Sequence, residues 1–261
     1  MSGKWSDLAP RVASGVVMAV VGISALWAGG WWFILLIAVA CALMLWELAR
    51  MIAPNAGNAL LQIGLIGGVA TVIASMATAF YALPILLAAC FVSASLLKKD
   101  YVRFVIYCAS ILFAGYGFIE VREELSSVWM LWLILLVVAT DVAGYFAGRI
   151  IGGPKFWPQY SPKKTWSGAV AGWAGAAAIS IVFVYYTNMW AGIVVISVLL
   201  SFSSQIGDIT QSALKRRTGV KDSSAIIPGH GGVYDRFDGM IGASLCLAFL
   251  RLFIDLTPVI Q

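Results

Sequence analysis

The sequence predicts an all-α, polytopic integral membrane protein of about nine transmembrane helices, and three observations carry that prediction. Hydrophobic residues make up 61% of the 261 residues and charged residues only 11%, against about a quarter charged in soluble domains. Apolar runs recur from Val12 to the C-terminus with no globular stretch between them. Lys and Arg collect in alternate connections rather than in all of them. The chain therefore reads as one transmembrane domain over 1–261, with spans one to five in 1–127 and spans six to nine, with their cytoplasmic loops, in 128–261.

A bilayer-spanning helix needs about 20 apolar residues. That requirement places spans at 12–28, 31–49, 59–76, 79–97, 102–119, 128–148, 168–187, 189–214 and 237–256. The first follows Lys4 and Arg11 but has no A-x-A cleavage pattern, and the second begins almost at once, so it reads as a retained span rather than a secretory signal. Span seven, "GAVAGWAGAAA", carries small residues four apart, which suits close helix packing.

Basic residues stay on the cytoplasmic side of a membrane. With a cytoplasmic N-terminus, that side receives Lys4, Arg11, Arg50, Lys98, Lys99, Arg103, Arg149, Lys155, Lys163, Lys164, Lys215, Arg216, Arg217, Lys221 and Arg236. Only Arg122 and Arg251 fall elsewhere, and an odd number of spans leaves the C-terminus outside. Anionic lipid heads and orientation account for the net charge of +5 without a nucleic-acid partner. Cys41, Cys90, Cys108 and Cys246 lie in apolar runs without CxxC spacing and read as small core residues.

The polar residues in and beside the last four spans carry the chemistry. Asp141 in "VVATDVAGYFAGR" sits about two turns, or roughly 10 to 12 Å, from the cytoplasmic end of span six. Ionisable groups at such depth are costly and face a cavity or a partner. Tyr145 and Arg149 follow at i+4 and i+8 on the same helix face, as a structural link to Asp141 or as the wall of a cleft. Between spans six and seven, "PQYSPKKTWSG" reads as a basic loop in which Ser161, Lys163, Lys164 and Thr165 can meet phosphate as point charges and donors. In span eight Asp208, Ser212 and Lys215 recur at i, i+4 and i+7 and project from one face of an amphipathic helix end.

The stretch 212–239, "SALKRRTGVKDSSAIIPGHGGVYDRFDG", holds Lys215, Arg216, Lys221, Asp222, Asp235, Arg236, Asp238 and the sole histidine, His230. Pro228, Gly229, Gly231 and Gly232 break any helix and let backbone approach a ligand. Hard cations such as magnesium take carboxylate oxygens together with water and substrate phosphate, so Asp208, Asp235 and Asp238 form a candidate Mg2+ site. Acids for a metal and bases for phosphate at one membrane edge suit phosphoryl or nucleotidyl transfer. There is neither a GxxxxGK[ST] P-loop nor a GxGxxG after a strand. Two other classes share parts of the pattern. An ion-coupled transporter would place its coupling residues near the midplane, and a lipid or polyprenol kinase would move a bare phosphoryl group.

The run from Ser212 to Asp238, through Lys215, Arg216, Lys221, Asp222, Pro228, His230, Gly231, Gly232, Asp235 and Arg236, resembles the signature of the phosphatidate cytidylyltransferase (CDP-diacylglycerol synthase) family. "SPKKTWSG" and "ATDVAGYFAGR" look like two further segments of that family in the same order, except that Ser167 stands where Glu is expected. The resemblance implies a nine-span, homodimeric inner-membrane enzyme that joins CTP to phosphatidate, giving CDP-diacylglycerol and pyrophosphate at the cytoplasmic side. It implies Mg2+, with a second cation such as K+ as an option, held by Asp208, Asp235, Asp238 and Ser212. Lys215, Arg216, Lys221 and Arg236, with Lys163 and Lys164, would cradle the phosphates, while His230 would serve as a phosphate donor or loop organiser.

Overall fold

The computed structural model describes residues 8–187 and 189–256. Lys4, counted above among the cytoplasmic charges, lies outside them. The described residues form nine α-helices and one small hairpin: α1 (Leu8–Ala28), α2 (Gly30–Ile52), α3 (Ala59–Met76), α4 (Ala79–Leu97), α5 (Tyr101–Glu120), α6 (Ser127–Ile150), β1 (Lys155–Trp157), β2 (Ser161–Thr165), α7 (Trp166–Thr187), α8 (Ile193–Thr218) and α9 (Tyr234–Leu250). A π-helical turn, Val121–Leu125, follows α5. The chain divides into two compact units, 1–123 with 217–237, and 124–216 with 238–261.

In the first unit α2 is the central helix, burying Phe33, Ile37, Cys41, Met44, Leu45 and Leu48. Its neighbours approach through small residues. A Cβ at Gly64 of α3 would come to 2.9 Å from the Ala42 carbonyl oxygen, one at Gly68 to 3.2 Å from that of Ala38, and one at Gly115 of α5 would overlap the Cys41 sulfur. α1 instead leaves Val12, Val16, Val17 and Val20 exposed, the face expected toward lipid.

In the second unit α6 and α7 are pressed together along the small-residue stripe. A Cβ at Gly168 would lie 2.7 Å from the Gly144 carbonyl oxygen, one at Gly172 3.1 Å from that of Thr140, and one at Gly175 3.2 Å from that of Ala139. The packing expectation for span seven is met at each of these contacts. Buried polar pairs tie α6, α7 and α8: Trp132 Nε1 donates to Ser180 Oγ at 3.0 Å, Ser180 bonds Ser197, and Thr140 Oγ1 donates to Ser201 Oγ at 2.8 Å. α8 and α9 touch backbone to backbone, since a Cβ at Gly242 would overlap the Ser203 carbonyl oxygen and one at Gly207 that of Asp238.

Eight of the helices, α1 to α8, are long and apolar enough to cross a bilayer, and the chain is a multi-pass membrane protein. The ninth span differs from its expected bounds. α9 begins at Tyr234, so Asp235 and Asp238 are already helical, and it ends at Leu250. Its 17 residues rise about 26 Å at 1.5 Å per residue, at the lower end of the roughly 17 to 25 residues that spanning helices use. The segment read as a basic loop is instead an antiparallel hairpin pairing Lys155 with Thr165 and Trp157 with Ser161.

Candidate active site

A cavity of about 430 Å³ opens in the second unit, walled by α6, the hairpin, α7 and α8. Asp141, Tyr145 and Arg149 line it from α6, Lys163, Lys164 and Thr165 from β2, and Gln205 and Asp208 from α8. The i, i+4, i+8 face of span six is thus one wall of a real cleft. Arg149 NH1 donates to the Tyr145 hydroxyl at 2.8 Å, which fixes the guanidinium beside the opening.

Local chemistry explains how the sequence positions these groups. Thr165 precedes α7, and its Oγ1 accepts the Gly168 N–H at 3.2 Å, as an N-cap hydroxyl satisfies a free amide of the first turn. Ser167 shares a 3.0 Å hydrogen bond with the same hydroxyl and donates to the Gly152 carbonyl at 2.5 Å. Where a glutamate was expected, a donor closes the connection that carries the hairpin. Lys164 Nζ then reaches across to Asp208 Oδ2 at 2.5 Å and donates to the Gln205 carbonyl at 3.3 Å. The Gln205 amide is itself held, accepting from Trp173 Nε1 and donating to the Ala169 carbonyl, both at 3.2 Å.

One turn beyond Asp208, Ser212 Oγ donates to Asp208 Oδ1 at 3.3 Å, as their spacing implies. Asp238 Oδ1 accepts the Gly239 N–H at 2.7 Å, and its carboxyl interacts electrostatically with Asp208, Lys215 and Asp141. The Gly207 and Gly242 crossing is what brings those two acids onto adjacent backbones. Among the described residues no three His, Cys, Asp or Glu groups converge to hold a metal. Magnesium is commonly bound by one or two carboxylates completed by substrate phosphate and water, and the oxygen donors of Asp208 and Asp238 fit that mode. Ser161 starts β2 half-buried, Lys215 is half-buried and Arg216 exposed.

In the first unit the glycine-rich loop is organised around carboxylates. Asp235 Oδ2 accepts from Ser223 N at 2.8 Å, Ser223 Oγ at 2.9 Å and Gly232 N at 3.0 Å, so this oxygen shapes the loop. His230 Nδ1 hydrogen-bonds Ser14 Oγ at 2.8 Å, and that hydroxyl also lies 2.9 Å from the Pro228 carbonyl oxygen. These two contacts tie the loop at Pro228 and His230 to Ser14 of α1. Gly231 has φ 82, a conformation glycine adopts without strain. Lys221, Asp222 and Arg236 are exposed.

Glu47 escapes a reading of the sequence, although its carboxylate is fully buried and accepts from Ser223 Oγ, Ser224 Oγ, Val233 N and Tyr234 N. The available signal was a lone acid inside an apolar span. Its partners, some 180 positions away, give no local pattern to detect.

The sequence model of the cytidylyltransferase family matches residues 9–254. A phosphatidate cytidylyltransferase of Brucella suis biovar 1 (strain 1330) is 42% identical over 153 residues, covering 56% of this chain and 55% of the relative. One from Haemophilus influenzae is 37% identical over 132 residues, covering 48% and 46%. One from Bacillus subtilis (strain 168) is 30% identical over 264 aligned positions, covering 94% of this chain and 97% of the relative. In the first two of these matches the chain spans about half the length of the relative.

Proposed function

The chain belongs to the cytidylyltransferase family, and from that premise we propose that it condenses CTP with phosphatidate to give CDP-diacylglycerol and pyrophosphate. A phosphate oxygen of phosphatidate attacks the α-phosphorus of CTP, a new P–O–P bond forms, and the bond to the β-phosphate oxygen breaks to release pyrophosphate. The lipid phosphate is already anionic at neutral pH, so no strong general base is needed. The observation that carries this reading is the cavity in which Arg149, Lys163 and Lys164 face Asp141 and Asp208: cations for two polyanionic substrates stand beside carboxylates suited to a hard cation.

Arg149, held by Tyr145, presents a planar fork matched to a phosphomonoester. Lys163 and Lys164 neutralise phosphate as point charges, with Lys164 exchanging part of its pairing to Asp208 for substrate. Lys215, Arg216, Lys221 and Arg236 add positive charge for the triphosphate. Asp208 and Asp238 would hold magnesium, with Ser212 orienting Asp208; the ion when bound supplies Lewis-acid polarisation of the phosphoryl oxygens. Asp222, Gly231, Gly232, His230 and Asp235 belong to the loop that would shape the nucleotide's surroundings. The enzyme would act as a homodimer in the inner membrane, with its N-terminus and active site cytoplasmic and its C-terminus outside.

The test is incubation of the purified protein in detergent with phosphatidate, Mg2+ and α-labelled CTP, followed by lipid extraction. Label in the lipid phase that depends on both phosphatidate and Mg2+, with pyrophosphate released, is the expected result. Release of CDP without labelled lipid would identify a kinase, and no reaction of either kind by folded protein would remove the transfer reading.

A further inference from the structure

Glu47 lies within "LMLWELARM" of α2 and is fully buried. A carboxylate in that setting is costly unless its lone pairs are met. Four donors meet them, all from 223–234. Oε1 accepts from Ser224 Oγ at 2.6 Å and Val233 N at 2.9 Å, and Oε2 accepts from Tyr234 N at 2.7 Å and Ser223 Oγ at 3.0 Å. The basic residue one turn on, Arg50, places its guanidinium over the Trp46 ring, 5.3 Å from the centroid.

The pattern of donors is informative. Val233 and Tyr234 form the entry to α9, where amides lack intrahelical acceptors and a negative charge is favourable. Glu47 thus supplies from another helix what a capping side chain supplies locally. The remaining donors are the two adjacent hydroxyls, and Ser223 is a pivot, since its Oγ also lies 2.9 Å from Asp235 Oδ2. A Cβ at Gly232 would overlap both Ser223 Oγ and Glu47 Oε1, so the carboxylate is packed against the loop backbone itself. Charge-assisted bonds to buried groups are the stronger kind, and four from one segment specify one shape for it.

We propose that Glu47 is a positioning residue for the transfer reaction: its carboxylate fixes the 223–234 loop, and through Ser223 the Asp235 side chain, in the one arrangement that receives the nucleotide phosphates. The proposal rests on the cytidylyl-transfer reading. Substitution by Gln sets a side-chain N–H2 against loop donors and removes the charge, so the loop relaxes.

The experiment compares wild type, Glu47→Gln, Glu47→Asp and the double variant Ser223→Ala/Ser224→Ala in the labelled-CTP assay, with rates expressed per folded molecule from the monodisperse fraction. Hydrogen exchange of the Val233 and Tyr234 amides is read in parallel. Glu47→Gln lowers kcat about 100-fold, the scale of a small misplacement of reacting groups, with KM for phosphatidate within about threefold of wild type. Glu47→Asp recovers part of kcat, and both amides exchange faster in the Gln variant. An unchanged kcat per folded molecule in Glu47→Gln, with only the yield of folded protein reduced, overturns the proposal. If Glu47→Gln does not fold, the double serine variant decides: reduced kcat supports the proposal and wild-type kcat overturns it. Absence of transfer by the wild type removes the cytidylyl-transfer reading instead, and amide exchange then tests the anchoring alone.

Discussion

Lys164 Nζ and Asp208 Oδ2 stand 2.5 Å apart, joining β2 to α8 across the cavity. Both side chains keep partial solvent contact, at 25% and 31% of their reference surface, and ion pairs so placed contribute little to stability. On the proposed reading, their value lies in pre-placing a cation for phosphate beside an acid for a metal. Asp208→Asn should therefore reduce turnover by about 1,000-fold or more, as loss of a preorganised charge at a reacting phosphate does, while the thermal midpoint in detergent moves little. Lys164→Ala should act mainly by raising KM for CTP. Substantial turnover in Asp208→Asn would show that this carboxylate is not part of the chemistry.

Arg149 and Tyr145 offer a separate test of the lipid side. The guanidinium is fixed by the Tyr145 hydroxyl at 2.8 Å and lines the cavity. A lysine retains the charge but loses the planar fork. Arg149→Lys is expected to raise KM for phosphatidate about tenfold, the scale of one lost charge-assisted bond, with KM for CTP unchanged. A mixed-micelle titration of both substrates reads the difference. Equal effects on the two substrates would place Arg149 outside the lipid phosphate contact.

The membrane architecture was legible because hydropathy alone sets it: spans two to seven coincide with helices to within a few residues at each end. The face joining Asp141, Tyr145 and Arg149 was legible for a similar reason, since 3.6-residue periodicity is local. The hairpin was not. Its strands pair in register at only two positions, Lys155 with Thr165 and Trp157 with Ser161, and "SPKKT" has Pro162 where an alternating strand pattern would be sought. Nor was the role of Asp235 Oδ2, because Ser223 and Gly232 converge on it only after the loop has folded back. Glu47 marks the limit most clearly: one residue showed in sequence, and its partners showed only in three dimensions.

Thr165 links local helix chemistry to the cavity. Its hydroxyl caps α7 through Gly168 N and bonds Ser167, and the same residue ends the strand that carries Lys163 and Lys164. Thr165→Ala is expected to destabilise the protein by about 1 kcal/mol, the usual cost of an N-cap hydroxyl, and to raise KM for CTP as the lysines lose their mooring. Thr165→Ser, which keeps the hydroxyl, should restore both values. Thermal denaturation in detergent alongside steady-state kinetics checks the pair, and an alanine variant with wild-type stability and kinetics would refute the capping role.

Gly242 and Gly207 set the separation of α8 and α9, and with it that of Asp208 and Asp238. An added Cβ at Gly242 overlaps the Ser203 carbonyl oxygen, a backbone atom that cannot turn aside as a side chain can. The two helices must therefore move apart, and overpacking of this kind costs about 1–3 kcal/mol. The functional loss should exceed what that instability explains, because the displaced backbone carries the acids: Gly242→Ala is expected to lower kcat about 100-fold per folded molecule. Gly22→Ala in α1 is the matched control. No atom lies within 4 Å of its added Cβ, and the change should leave activity intact and stability unchanged or raised by up to about 1 kcal/mol from helix propensity. If Gly242→Ala loses stability but keeps wild-type kcat, the spacing of the two helices does not govern the acids, and the catalytic pairing of Asp208 with Asp238 would have to be abandoned.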